Sequence, residues 1–242
     1  MSVLSVVLWY KLVVLKQKAF VLLSFLLLVS VFLNLFLINK LYEQGKTSPM
    51  TKPLGQKSKR IVLSEKEYKT MRGLGSTEAP VKIVMFSDYE CYYCHRFYQE
   101  SFNQLKKDYI DKGIVQFFIK NFPSKSHHHG YNMAVLLSDL KSDTAFWKRH
   151  LEIMLSDQNL NDTFLVEVAQ KSNLSLPLKN DSILKAKLDK EIFFAVKNGV
   201  YGIPAFAING ELYIGNRTYS EFKEIIEKAQ TQTKPTDTYC SD

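Results

Sequence analysis

Two cysteines, Cys91 and Cys94, are separated only by Tyr92 and Tyr93, a spacing at which two thiols can open and close as one disulfide. Residues i and i+3 of a helix have Cα atoms about 5 Å apart, inside the roughly 4.4–6.8 Å that a disulfide tolerates. The pair stands where an apolar run, VKIVMF over 81–86, gives way to a helical pattern, so Cys91 falls at a helix start. Unpaired N–H groups and the helix dipole favour an anion there, which marks Cys91 as the nucleophile, its thiolate favoured over that of a free thiol with pKa about 8.5. Cys94, one turn further in, is the resolving thiol. The neighbouring Tyr89, Tyr92 and Tyr93 give both cysteines the surroundings of an exposed site rather than of a structural core pair. Half of a zinc site is the other reading. Zinc takes four ligands, and the candidates beyond the pair are His95 and the run His127-His128-His129, which is expected in a solvated loop. Asp88 and Glu90 are candidates for proton relay, although carboxylates at a strand end are usually solvated. His95 is a candidate for electrostatic tuning, against a plain surface role. The third cysteine, Cys240, lies in a polar tail.

The elements that must hold this pair can be read in order. Ser64-Glu65-Lys66-Glu67 fits a capping box and opens a short helix to about Arg72, where Gly73 and Gly75 stop it. Residues 81–86 read as a buried strand after Ala79-Pro80. From Cys91, the residues Cys94, Phe97, Tyr98, Phe102, Leu105 and Tyr109 recur at helical spacing until Gly113. Residues 114–119 (IVQFFI) are a second strand, completing a βαβ unit. Helices follow over 131–140, 144–155, 163–171 and 182–198, with Asp143 and Asp162 as N-caps and Gly199 as a stop. Residues 205–208 and 212–214 flank Asn209-Gly210-Glu211, a hairpin signal. Thr218-Tyr219-Ser220-Glu221 is a second capping box, opening a helix with Phe222, Ile225, Ile226 and Ala229 on one face. The order is βαβ, a helical block, then ββα, so the two sheet-forming halves can pair into one small mixed sheet.

Three motifs in this order carry a family resemblance: Leu74-Gly75-Ser76-Thr77-Glu78-Ala79-Pro80-Val81; Phe86-Ser87-Asp88-Tyr89-Glu90-Cys91-Tyr92-Tyr93-Cys94; and Gly202-Ile203-Pro204-Ala205-Phe206 with Ile208-Asn209-Gly210. Together they resemble the DsbA-like thioredoxin-fold family of extracytoplasmic thiol-disulfide oxidoreductases, over about 61–230. The resemblance implies an α/β thioredoxin-like fold with a helical insertion, about 124–199, between its halves. It implies Cys91 as the solvent-facing nucleophile, Cys94 as its partner, and Pro204 as a cis-proline that positions an extended substrate together with Ile203. Many relatives have proline first and His or Tyr second between the cysteines, where this chain has Tyr92-Tyr93. That pair helps set thiolate stability and the reduction potential, and joins the substrate-contacting positions. The expected substrates are exported proteins with Cys thiols, and the expected partner is a membrane redox protein, DsbB-like or DsbD-like. No metal or organic cofactor is required. The alternative is a membrane-tethered metal-binding or chaperone module using the cysteine pair and the histidine run.

The rest of the chain accounts for its length of 242 residues. Residues 19–38 (AFVLLSFLLLVSVFLNLFLI) are apolar apart from Ser24, Ser30 and Asn34; at about 1.5 Å per residue they reach roughly 30 Å, a bilayer's hydrocarbon core. They read as an uncleaved transmembrane anchor behind an N-terminal cytoplasmic or interfacial segment, 1–18, rather than as a signal peptide with its shorter apolar run. Basic residues flank the span on both sides, so charge does not orient it. An oxidised Cys-x-x-Cys is most useful outside the cytoplasm, which places the N-terminus inside and the domain in the periplasm; secretion after signal cleavage is the alternative. Residues 39–60 have the composition of a solvated tether and 231–242 that of a loose tail. The net charge of +8 arises from 32 Lys and Arg against 24 Asp and Glu, and Lys11, Lys16, Lys18 and Lys40 supply half of it. The remaining basic residues are interleaved with acids, which argues against a nucleic-acid stripe. Three cysteines are also too few for a disulfide-stapled scaffold.

Overall fold

The computed structural model describes residues 16, 18, 24–40, 60–157, 159–174, 176 and 181–233. It divides into two units, Met1–Pro49 and Met50–Asp242. In the first, helix α1 covers residues 24–40. Its large apolar side chains from Phe25 to Ile38 are exposed, and the Asn34 amide donates to the Ser30 carbonyl at 2.8 Å, so the helix satisfies its own polar side chain. Residues 19–23 of the expected anchor, most of the segment before it and residues 41–59 of the expected tether lie outside the described residues. Among the described residues no helix is long and apolar enough to cross a membrane.

The second unit begins with α2 (Glu65–Thr70), whose capping box is complete: the Ser64 hydroxyl accepts from Glu67 N–H while the Glu67 carboxylate accepts from Ser64 N–H at 2.8 Å. Next come β1 (Val81–Ser87), α3 (Tyr92–Phe97), α4 (Asn103–Leu105) and β2 (Val115–Asn121). Between and after the two short helices the coil widens into π-type turns at Tyr98–Phe102 and Lys106–Ile110, so one continuous path of helical turns leads from the cysteine pair to Ile110. Four helices follow: α5 (His128–Ser138), α6 (Asp143–Met154), α7 (Asp162–Lys171) and α8 (Asp181–Lys197). Strands β3 (Ala205–Ile208) and β4 (Glu211–Ile214) and helix α9 (Tyr219–Thr233) close the domain.

The sheet order is β2-β1-β3-β4, with β1 parallel to β2 and antiparallel to β3. Because β1 is central, both of its faces are buried, and its side chains divide by alternation. Val81, Ile83 and Met85 pack with Cys94, Phe97 and the helices beyond, while Val84 and Phe86 pack with Ile61, Phe118 and Leu212 on the other face. Phe97 anchors the first face, its ring 4.9 Å from Phe206 and 5.4 Å from Phe222. A buried Phe of this kind is worth about 3–5 kcal/mol against alanine, enough to fix α3 and the cysteines it carries. Each edge strand meets one outside residue: Arg60 bridges to Glu211 on β4, and Leu74 bridges to Phe117 on β2.

Local signals place most turns. Asn209 and Gly210 have φ of 44° and 89°, the two positive values that a tight hairpin between right-twisted strands requires. The helix caps differ from expectation by one residue. Ser142 and Asn161, not Asp143 and Asp162, accept the capping bonds, from Ala145 N–H at 3.4 Å and Phe164 N–H at 2.8 Å. Both cap residues have extended backbone, as a cap position demands, and the aspartates sit in the first turn, where a carboxylate offsets the helix dipole. Helix α5 also starts earlier than expected, at His128 rather than Tyr131, and the reason lies in the site.

Candidate active site

Strand β1 delivers the chain to Asp88, and Cys91 caps α3 with extended backbone, φ −80° and ψ 113°. The Cys91 carbonyl accepts from the N–H groups of Cys94 and His95 at 3.0 and 3.1 Å, which closes the first turn under the pair. Both cysteines are free thiols and both are buried, Cys91 to 8% exposure and Cys94 to 0%. This corrects the expectation of an exposed pair. The loop before α3 turns Tyr89 into the core, and only Tyr92 and Tyr93 stand in solvent, their rings 5.3 Å apart.

The two thiols differ in acidity. The Cys94 thiol donates to Cys91 and lowers the Cys91 pKa below the usual thiol value; burial opposes this, and the backbone N–H groups of Cys94 and Tyr93 add to it. Burial, then the hydrogen bond to Cys91, push Cys94 well above that value. A thiol that ionises early beside a fully enclosed one that stays protonated is the division of labour a nucleophile and a resolving thiol need. The Ile203–Pro204 bond is cis, and the Cys91 sulfur lies 4.0 Å from the Ile203 carbonyl oxygen. The chain before β3 is thereby brought to the cysteine although 112 residues separate the two positions.

Asp88 and Glu90 are not solvated. The Asp88 carboxylate is buried and accepts from Glu90 N–H at 3.0 Å, from Ser124 N–H at 3.1 Å and from the His127 ring. Glu90 accepts from Gly130 N–H at 2.6 Å and lies 3.6 Å from the His129 ring. The histidine run therefore does not form a solvated loop: it is the start of α5, docked on the two carboxylates that precede the cysteines. Any Cβ at Gly130 would collide with Asp88 Oδ1, so glycine is what lets the helix approach. Burial disfavours a charged His127, but its hydrogen bond to Asp88 and the charges of Asp88, Glu90 and Cys91 outweigh that and raise its pKa above 6.5. Among the described residues no group of three or more His, Cys, Asp or Glu is placed to hold a metal ion. The alternative that joined the cysteines and the histidines into one ligand set has no assembled site there.

His95 is half-buried, its Nε2 2.8 Å from the Tyr89 carbonyl oxygen, so it braces the loop before α3. Beneath that loop lies a network that sequence reasoning missed. His150, on α6, bonds Tyr89 Oη through Nδ1 at 2.8 Å and Tyr98 Oη through Nε2 at 2.7 Å, and all three side chains are buried. Burial lowers the His150 pKa to about 3, so the ring is neutral, one nitrogen donating and the other accepting. The network ties α6 to the loop before α3 and to the helical path after it. Its members are 61 and 52 residues apart, and no local pattern connects them. Cys240 lies outside the described residues.

A fold in which a helix-start cysteine pair faces a cis-proline loop on a β2-β1-β3-β4 sheet matches known proteins. A family model described as Thioredoxin matches residues 66–228, and the chain belongs to the thioredoxin family. Disulfide bond formation protein D of Bacillus subtilis (strain 168) is 30% identical over 169 residues, 64% of this chain and 75% of that protein. The crystal structure of oxidised BdbD from Bacillus subtilis superposes with a TM-score of 0.56 at 25% identity, over 73% of this chain and 100% of that one. Wolbachia pipientis alpha-DsbA1 shares the fold with a TM-score of 0.61 at 22% identity, over 68% of this chain and 92% of that one. Within the thioredoxin family this protein is a DsbA-like thiol-disulfide oxidoreductase.

Proposed function

We propose that the protein oxidises thiols of exported proteins through a Cys91–Cys94 disulfide. The observation that carries this reading is the asymmetry of the pair: a Cys91 thiol of lowered pKa under a thin cover and a fully enclosed Cys94. A substrate thiolate attacks Cys91 Sγ; the substrate–Cys91 bond forms, the Cys91–Cys94 bond breaks, and its electron pair remains on Cys94. A second substrate thiolate attacks the substrate sulfur of the mixed disulfide, and Cys91 departs as a thiolate. The substrate has then lost two electrons and the enzyme has gained them. Stabilising the departing Cys91 thiolate favours the reduced enzyme and hence the oxidising direction. The Ile203 carbonyl, with Pro204, positions the substrate chain beside Cys91, and Tyr92 and Tyr93 offer it apolar contact. A membrane redox partner re-oxidises the pair.

The direction is tested by equilibrating the cysteine pair with glutathione buffers. The expected reduction potential lies toward the oxidant end, near about −120 mV as in DsbA, and a value near about −270 mV as in thioredoxin would reject oxidation in favour of reduction.

Residues 19–38 act in this reading as a single membrane anchor, N-terminus inside, with 39–60 as a tether that holds the domain in the periplasm. The apolar, exposed side chains of α1 support it. The full chain should resist extraction from membranes by alkaline carbonate and be shaved from the outer face by protease; release into the soluble fraction would sink the anchor.

A further inference from the structure

Ser87 ends β1, and alternation along the strand puts its side chain on the face of Ile83 and Met85, the one that packs with Cys94. The residue is 2% exposed. Its backbone is satisfied, since its carbonyl accepts from Phe122 N–H at 2.7 Å. Its hydroxyl has no hydrogen-bond partner among the described residues. A buried hydroxyl without a partner is unusual enough to require an explanation.

The cysteine chemistry provides one. When a thiolate attacks Cys91, the Cys91–Cys94 bond breaks and an electron pair is left on Cys94 Sγ, an atom with no exposure to water. Charge that appears in such a place needs a donor already in position. The neighbouring polar groups are engaged elsewhere: Asp88 is tied to Glu90, Ser124 and His127, and the Tyr98 hydroxyl to His150. Two groups work to lower the Cys94 pKa against burial, the Asp88 backbone N–H and the Ser87 hydroxyl. Of the two, Ser87 alone is a side chain.

We infer that Ser87 is a catalytic residue, its Oγ–H donating a hydrogen bond to Cys94 Sγ as that sulfur leaves the disulfide and again when it returns as a nucleophile. No proton is transferred; the hydroxyl stabilises the anion and is idle in the dithiol state, which is why it stands unpartnered there. This rests on the reading of Cys91 and Cys94 as an exchanging pair.

The test is designed so that the two can fail separately. In a full-length Cys91→Ala background, the thiolate of Cys94 is titrated by its ultraviolet absorbance, with and without Ser87→Ala. The expected result is a rise of about one pKa unit on removing the hydroxyl, a tenfold loss of thiolate at a given pH, because bonds to charged groups are the strong ones. Ser87→Thr, which keeps a hydroxyl, should restore the lower value. With both cysteines present, Ser87→Ala should slow attack of a small alkyl thiol on the disulfide several-fold, since a more basic thiol leaves more slowly. The Cys91 pKa, measured in Cys94→Ala, should not move. An unchanged Cys94 titration in Ser87→Ala would overturn the inference even with exchange intact. A shifted titration together with no thiol exchange would leave Ser87 as the donor and overturn the oxidoreductase direction instead.

Discussion

A Cys94→Ser protein is expected to accumulate as a covalent adduct with substrate, and a Cys91→Ser protein to lose thiol-disulfide exchange down to the uncatalysed background. The difference follows from burial. Cys91 keeps 8% exposure, its sulfur 4.0 Å from the Ile203 carbonyl oxygen, whereas Cys94 is fully enclosed. With serine at 94, Cys91 still attacks a substrate disulfide and is then held, because the thiol that would release it is gone. With serine at 91, the remaining Cys94 is hidden, and burial, the largest cause of its raised pKa, still makes it harder to ionise. Non-reducing electrophoresis and intact-mass spectrometry read the adduct; insulin reduction and oxidation of a reduced test protein read the activity. Alkylation of the wild-type dithiol should modify Cys91 first, at pH below the usual thiol range, because its pKa is lowered. The linkage has a sign. A thiol whose pKa falls on folding stabilises the reduced protein at pH above its unfolded value, and that contribution fades as pH drops through the folded value. Retained exchange in Cys91→Ser, or adducts formed through Cys94 instead, would reverse the assignment.

The second large effect is expected at His150. Its pKa is lowered by burial from 6.5 to about 3, so at intermediate pH the unfolded chain binds a proton that the native protein refuses. Stability must therefore fall as pH is lowered from about 6.5 toward 3. Each pKa unit corresponds to about 1.4 kcal/mol, so the full loss is on the order of 5 kcal/mol, comparable to the net stability of many domains. At pH 7 both states are neutral and this contribution vanishes. His150→Phe separates charge from packing. It keeps a ring in place but orphans the hydroxyls of Tyr89 and Tyr98, at about 1–3 kcal/mol each. The variant should thus be weaker at pH 7 by roughly 2–6 kcal/mol yet lose less on acidification. Urea midpoints at pH 7 and pH 4 measure both, and an acid slope unchanged in His150→Phe would mean that another group carries it. Adding Tyr89→Phe and Tyr98→Phe should recover part of the loss at pH 7, because the orphaned hydroxyls are then gone.

What the sequence discloses about this molecule is what short-range physics decides. The buried strand at 81–86, the positive-φ turn at Asn209-Gly210, the capping boxes at Ser64 and Thr218 and the cysteine at the start of α3 are each set by neighbours within a few residues, and each is where those neighbours put it. The N-caps were displaced by one residue because an aspartate serves almost as well in the first turn as at the cap. The histidine run departs from its expected solvated loop for a longer-range reason. Its polarity argues for solvent only until the carboxylates of Asp88 and Glu90, some forty residues earlier, are seen to receive it. Exposure of the cysteines failed in the same way, since Tyr89 folds inward to meet His150 and takes the loop with it. Ser87 left no trace at all in the pattern, because a hydroxyl at a strand end looks the same whether it faces water or sulfur.

The two single-residue bridges at the sheet margins bear on aggregation. An uncovered strand edge is a template on which another extended chain can add itself. Here Arg60 lies against β4 and Leu74 against β2, so the stretch that leads into β1 touches both margins of the sheet. At Glu211 and Phe117 an added strand would have to displace a contact the chain already makes with itself, which guards each margin at one point against growth into an aggregate.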